Sequence, residues 1–221
     1  MDIMNVIREN GVVPVVVLHD AEHAVALADA LAGGGLRCAE VTLRTPAGLE
    51  AIRRICAERP EMLTGAGTVM TVEQAEAAVK AGAQFIVTPG LNEPVMEYCI
   101  ANDIPIFPGC MDTYAIEKAI AAGLRTVKFF PAEPAGGLAM LKALAAPYGD
   151  LSFMPTGGIS AANLAEYIAF ERILAVGGSW MCRADMIDAG NFDEIRRLSA
   201  EASDIVRTVR APEQSGESEG A

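Results

Sequence analysis

Eight short apolar runs, at 12–18, 38–43, 63–69, 84–88, 105–107, 126–130, 152–155 and 173–176, alternate along the chain with helix-length amphipathic stretches. Those stretches cover 21–32, 46–59, 72–81, 93–101, 112–122, 137–146 and 161–170, and a last one at 191–210 closes the series. Strands that alternate with helices pair in parallel, and eight such units are the number that closes a sheet on itself. The expected fold is therefore α/β, a single (β/α)8 TIM barrel over residues 1–210, preceded by a short N-terminal helix at 1–10 that ends at Gly11. A doubly wound open sheet is the alternative. It would carry a glycine-rich dinucleotide turn after its first strand, and nothing like GxGxxG follows 12–18.

A chain of 221 residues with 52% hydrophobic content has ample material for one large core. Its formal charge of -12 repels nucleic acid and anionic membranes, so an anionic ligand has to be held by a local site against the global field. A small metabolite fits that balance better than a polymer. No apolar run reaches membrane-spanning length and the first residues lack a signal-peptide pattern, which leads us to expect a cytoplasmic protein. Five scattered cysteines without a CxxC pair read as reduced thiols rather than a zinc knuckle or disulfide frame. The tail at 211–221, APEQSGESEGA, has almost nothing to bury and is expected to be disordered.

Within this frame the stretch RTVKFFPAE places one charge, Lys128, on an otherwise apolar strand. Side chains alternate along a strand, so Thr126, Lys128 and Phe130 share one face while Val127 and Phe129 share the other. If Val127 and Phe129 pack outward on helices, the lysine enters the barrel, where an ammonium has to be paired or lose its proton. An ordinary lysine is neutral about once in a few thousand at pH 7, and it is the neutral amine that attacks carbonyls. The competing reading is a lysine that snorkels from the strand end to solvent.

Barrel enzymes place their chemistry at the C-terminal ends of the strands. There the second strand offers EVTLRT, with Glu40, Thr42 and Arg44 on one parity and pointing inward; the competing reading is a mutually satisfying Glu/Arg pair near the barrel mouth. The third ends in GAGTV, whose glycines permit close backbone approach and whose Thr68 adds a hydroxyl. After the seventh and eighth strands come Thr156, Gly157, Gly158 and Gly177, Gly178, Ser179. Two glycine pairs, each leading into a helix, suit a phosphate held by backbone N–H groups. Thr156 is placed to orient a substrate hydroxyl.

The only two histidines fall in His19, Asp20, Ala21, Glu22, His23, which matches the HxxEH pattern of one zinc peptidase class. That pattern needs both histidines on one helix face, whereas His19 precedes the apparent helix cap Asp20. So few histidines also leave no Ser/His/Asp set and no histidine-rich metal site, and no metal or cofactor is expected.

Taken together, EVTLRT, GAGTV, PGL at 89–91, VKFFPAE, PTGGIS at 155–160 and GGSW at 177–180 closely resemble the bacterial 2-keto-3-deoxy-6-phosphogluconate (KDPG) and 4-hydroxy-2-oxoglutarate (KHG) aldolases, in the expected order over nearly the whole chain. The resemblance implies a Schiff-base lyase with Lys128 as nucleophile and Glu40 as general acid/base. It implies that Arg44 and Thr68 bind a pyruvate carboxylate, that Thr156, Phe130 and Pro89 orient the substrate, and that Gly157, Gly158, Gly177, Gly178 and Ser179 hold a phosphate. It further implies a small 2-oxo acid as partner and a homotrimer. Cys110, Met111 and Asp112 stand where family members commonly carry a small hydroxyl residue. The alternative reaction class is a sugar-phosphate isomerase or epimerase, which would share the glycine turns but form no covalent bond.

Overall fold

The computed structural model describes residues 2–211. In chain order the elements are α1 (Ile3–Asn10), β1 (Val12–Val16), a 3-10 turn (Ala21–His23), α2 (Ala24–Gly33), β2 (Cys38–Thr42), α3 (Gly48–Glu58), β3 (Leu63–Gly67), α4 (Val72–Lys80), β4 (Ile86–Val87) and α5 (Glu93–Ala101). There follow β5 (Ile106–Phe107), α6 (Thr113–Ala121), β6 (Thr126–Phe129), α7 (Gly137–Ala145), β7 (Ser152–Pro155), α8 (Ala161–Ile168), β8 (Val176–Gly178), α9 (Ala184–Asp188) and α10 (Phe192–Arg210). The expectation for the tail lies, beyond Ala211, outside the described residues. No helix among the described residues is long and apolar enough to cross a membrane.

The helices start where short polar side chains satisfy their free N–H groups. Asp2 accepts from Met4 and Asn5, Thr71 from Gln74, Asn92 from Val95 and Asp112 from Ala115. Each such cap stabilises its helix by about 1 kcal/mol. Asp20 caps as expected, but it starts the 3-10 turn, and α2 begins only at Ala24. The five-residue α9 was not anticipated, because so short a helix shows no periodicity.

All strand pairs are parallel. Six strands form one curled sheet in the order β5-β4-β3-β2-β1-β8, and β6 pairs with β7 as a separate ladder. The expected uninterrupted eight-stranded ladder is thus resolved only in part. Isolated bridges stand at both seams, Gly109 with Lys128 on one side and Thr156 with Gly177 and Phe153 with Ile173 on the other. The first seam has a plain cause: β5 is two residues long and lies between Pro105 and Pro108, neither of which has an N–H to give a ladder. The eighth strand is displaced, since Val176, Gly177 and Gly178, rather than 173–176, pair with Val12, Val13 and Pro14.

The alternation of faces sorts the apolar residues into two layers. Val16, Val41, Ile86, Val127 and Phe129 pack outward in the layer shared with the helices. Val13, Cys38, Leu63, Phe85, Phe107 and Met154 point inward, joined by Ile7 of α1. Phe85 and Phe107 meet edge to face, with centroids 5.8 Å apart and planes at 78°. Fully burying one such ring stabilises the fold by about 1.5–3 kcal/mol, so this inner layer fills the N-terminal end of the sheet firmly and leaves the opposite end for polar groups.

Candidate active site

Register decides which polar groups meet. Glu40 of β2 lies between Val15 of β1 and Gly65 of β3, and Lys128 of β6 lies beside Met154 of β7. Val15, Met154 and Glu40 share the inward face, so Lys128 and Glu40, 88 residues apart in sequence, converge inside the sheet. The Nζ of Lys128 donates to Glu40 Oε1 at 3.4 Å, the side chains being 4% and 0% exposed. The lysine does not snorkel to solvent. Phe130 flanks the amine, its ring centroid 5.3 Å from Nζ, while Phe129 belongs to the helix-facing layer.

The carboxylate reaches this position because β3 gives it room. A Cβ on Gly67 would lie 2.1 Å from Glu40 Oε1, and no real atom pair tolerates that distance. Glu40 Oε2 is buried without a hydrogen-bond partner among the described residues. A buried carboxylate oxygen left unpaired is costly, and here it is available to a ligand proton. An amine beside a carboxylate with one uncommitted oxygen can lose a proton, attack a carbonyl and have protons shuttled to the product.

A cavity of about 600 Å³ opens beside this pair. Arg44 and Thr68 line one side, the guanidinium Nε donating to Thr68 Oγ1 at 3.1 Å. Thr68 has φ 57, a left-handed conformation rare for a β-branched residue, so the backbone itself fixes where its hydroxyl stands. Pro89 and Phe130 line the wall, and Thr156 sits over Gly177, where a Cβ would meet its Oγ1 at 2.2 Å. Gly157 and Gly158, at φ 103 and 80, turn the chain at the far end, next to Gly177, Gly178 and the exposed Ser179. An Arg44–Thr68 corner and a glycine-lined corner thus share one cavity, and its lining residues Phe130 and Val15 bring it next to Lys128 and Glu40.

Ten of the site residues expected from the sequence line this cavity, while Lys128 and Glu40 are not on its wall and lie beside it, next to Phe130 and Val15. Each glycine turn leads into a helix, α8 after residues 156–160 and the short α9 after residues 179–183, and of the two only α8 has a side-chain cap, from Ser160. Gly67 was legible as a close-approach position, though what approaches is a side chain. His19 and Arg183, which also line the cavity, were missed. Positions 15, 17 and 19 alternate onto the wall, a parity that extends β1 and would have marked His19.

Comparison with known proteins agrees with this geometry. The family model described as KDPG and KHG aldolase matches residues 3–198. The chain is 52% identical over 195 residues to the 2-dehydro-3-deoxy-phosphogluconate aldolase of Treponema pallidum, covering 88% of this chain and 93% of that one. Among solved structures, the KDPG aldolase of Zymomonas mobilis with 3-phosphoglycerate superposes with a TM-score of 0.88 at 40% identity, covering 95% of this chain and 99% of that one. The KDPG aldolase of Legionella pneumophila, with pyruvate captured as a covalent carbinolamine intermediate, gives a TM-score of 0.87 at 36% identity over 90% of this chain and 97% of that one. With a buried lysine–glutamate pair beneath an arginine and two glycine turns, and with relatives this close along nearly its whole length, the chain belongs to the KDPG and KHG aldolase family.

Proposed function

We propose that this protein is a class I aldolase that cleaves 2-dehydro-3-deoxy-6-phosphogluconate to pyruvate and glyceraldehyde 3-phosphate, and 4-hydroxy-2-oxoglutarate to pyruvate and glyoxylate. The observation that carries this reading is the buried contact of Lys128 Nζ with Glu40 Oε1 at 3.4 Å. Neutral Lys128 adds to the C2 carbonyl and loses water to give a protonated imine. The imine accepts the electron pair of the breaking C3–C4 bond while Glu40 takes the C4 hydroxyl proton, and the aldehyde leaves. The remaining enamine is reprotonated at C3, and water hydrolyses the imine to pyruvate and free amine. The imine is itself the electron sink, so the scheme uses no metal or cofactor.

Arg44 and Thr68 hold the carboxylate of the 2-oxo acid; a guanidinium fork fixes both oxygens and with them the carbonyl against Nζ. Phe130, Pro89 and Thr156 orient the chain of the substrate. The glycine turns, Gly157–Gly158 and Gly177–Gly178, with Ser179, receive the phosphate of the longer substrate. An isomerase or epimerase would use Lys128 without a covalent bond, and nothing in the family favours it.

The reading extends to architecture. The two ladders and their seam bridges act as one closed (β/α)8 barrel, a single domain over residues 1–210 working in the cytoplasm. Met70, Met111 and Tyr114, exposed by 53%, 49% and 65%, are large apolar side chains that we assign to the contact of a homotrimer. Met111 therefore serves assembly, and Asp112 caps α6. Borohydride reduction in the presence of pyruvate tests the core of the proposal: a pyruvyl adduct is expected on Lys128 and is absent from Lys128→Met. A Lys128→Met protein that still released pyruvate at the native rate would refute it.

A further inference from the structure

We propose that His19, held by Asp188, is a specificity-determining ligand for the phosphorylated end of the substrate. The inference rests on the placement of the phosphate at the glycine turns proposed above, and deepens it. Pro14 of β1 pairs with Gly178 of β8, so the chain beyond Val16 runs beside the Gly178–Ser179 turn. Val15, Val17 and His19 alternate onto the cavity wall there. The Nδ1 of His19 lies 2.8 Å from Asp188 Oδ2 at the end of α9, and the ring is still 57% exposed. Asp188 thus fixes the ring through one nitrogen and leaves Nε2 uncommitted.

Charge explains why a cation is required. The chain carries a formal charge of -12, so a phosphate at this end needs local compensation. Three cation-forming side chains line the cavity. Arg44 bonds Thr68 on the opposite side, and Arg183, beyond the turn, is paired with Asp185 through Nε and Nη2. His19 is held beside the turn by Asp188, with Nε2 still a free donor position. In the imidazolium form Nδ1–H serves Asp188 while Nε2–H donates to a phosphate oxygen. The HxxEH spacing has no part in this, because His23 points elsewhere, its ring edge-on to Phe192 at 5.9 Å.

A ligand at the phosphate end, remote from the C3–C4 bond, acts on binding and separates substrates by whether they carry a phosphate. The test compares pyruvate release from the phosphorylated gluconate derivative and from 4-hydroxy-2-oxoglutarate. In His19→Ala the ratio of kcat/KM between the two substrates is expected to fall about tenfold against the phosphorylated one, carried by KM. Asp188→Asn should give a smaller fall of the same kind, and His19→Lys should restore the ratio by returning a cation. Ser179→Asp, run in parallel, places a negative charge at the turn. If Ser179→Asp discriminates against the phosphorylated substrate but His19→Ala does not, the phosphate placement stands and the role of His19 is refuted. If neither variant alters the ratio, both are refuted.

Discussion

Two residues, one step along the same face of β2, separate the two halves of the sheet interior. Cys38, opposite Leu63, belongs to the floor with Val13, Phe85 and Ile7, while Glu40, opposite Gly65, belongs to the mouth with Lys128, Thr42 and Thr156. Strand β3 shows the same change within LTGAG. Leu63 fills space, Gly65 yields it to the Phe85 ring, which a Cβ would meet at 2.3 Å, and Gly67 yields it to the Glu40 carboxylate. The floor is built from bulk and holds the fold together. The mouth is built from small residues that let charges meet, and its buried pair is poor currency for stability, since desolvation offsets most of the attraction.

The sharpest way to break this contrast is at the amine. Lys128→Met is expected to lower kcat for pyruvate release by about 10⁴-fold or more with cooperative melting retained, the mark of a mouth residue. At the floor, Phe85→Ala should do the converse, costing about 3–5 kcal/mol and about 6–20 °C in Tm, with kcat per folded molecule intact. Calorimetry combined with the pyruvate assay distinguishes the two. Gly67→Ala tests the mouth by geometry alone. The new methyl group displaces the Glu40 carboxylate by about 1 Å, and kcat is expected to fall about 10²-fold while an imine with pyruvate still forms on borohydride trapping.

The smallest effect concerns the floor. Burial pushes the Cys38 thiol up to about 12 from a usual value near 9. A group whose folded pKa is raised keeps its proton in the native state after the unfolded chain has lost it. Stability is thus complete below about pH 9 and falls towards pH 12, by about 1.4 kcal/mol per pH unit for each such thiol. Cys38→Ala should flatten the decline of Tm across that window. An unchanged slope would mean that the floor is not sealed from water.

Much of this contrast is legible in the sequence because it is local. The helix caps, the alternating strands and a lone lysine among apolar residues each announce themselves within a few positions. Glu40 and Arg44 stand out for the same reason. The contact between Lys128 and Glu40 is not local, since it joins strands 88 residues apart and depends on the register of the intervening sheet. The interrupted ladder at β5 was likewise hidden, although Pro105 and Pro108 mark it in hindsight. His19 passed as part of a false metal motif because its partner Asp188 lies 169 residues away, in a helix too short to be noticed.

The seams of the sheet carry a further consequence. Lys128 is itself the residue bridged to Gly109, and Thr156 the one bridged to Gly177, so the proposed nucleophile and the proposed substrate-orienting hydroxyl are mounted on the small ladder, at its seams with the large sheet. In the proposed reaction a pyruvyl group joined to Lys128 and gripped by Arg44 would span the small ladder and the large one as a temporary rivet, and the enzyme in mid-reaction is expected to be sturdier than the enzyme at rest.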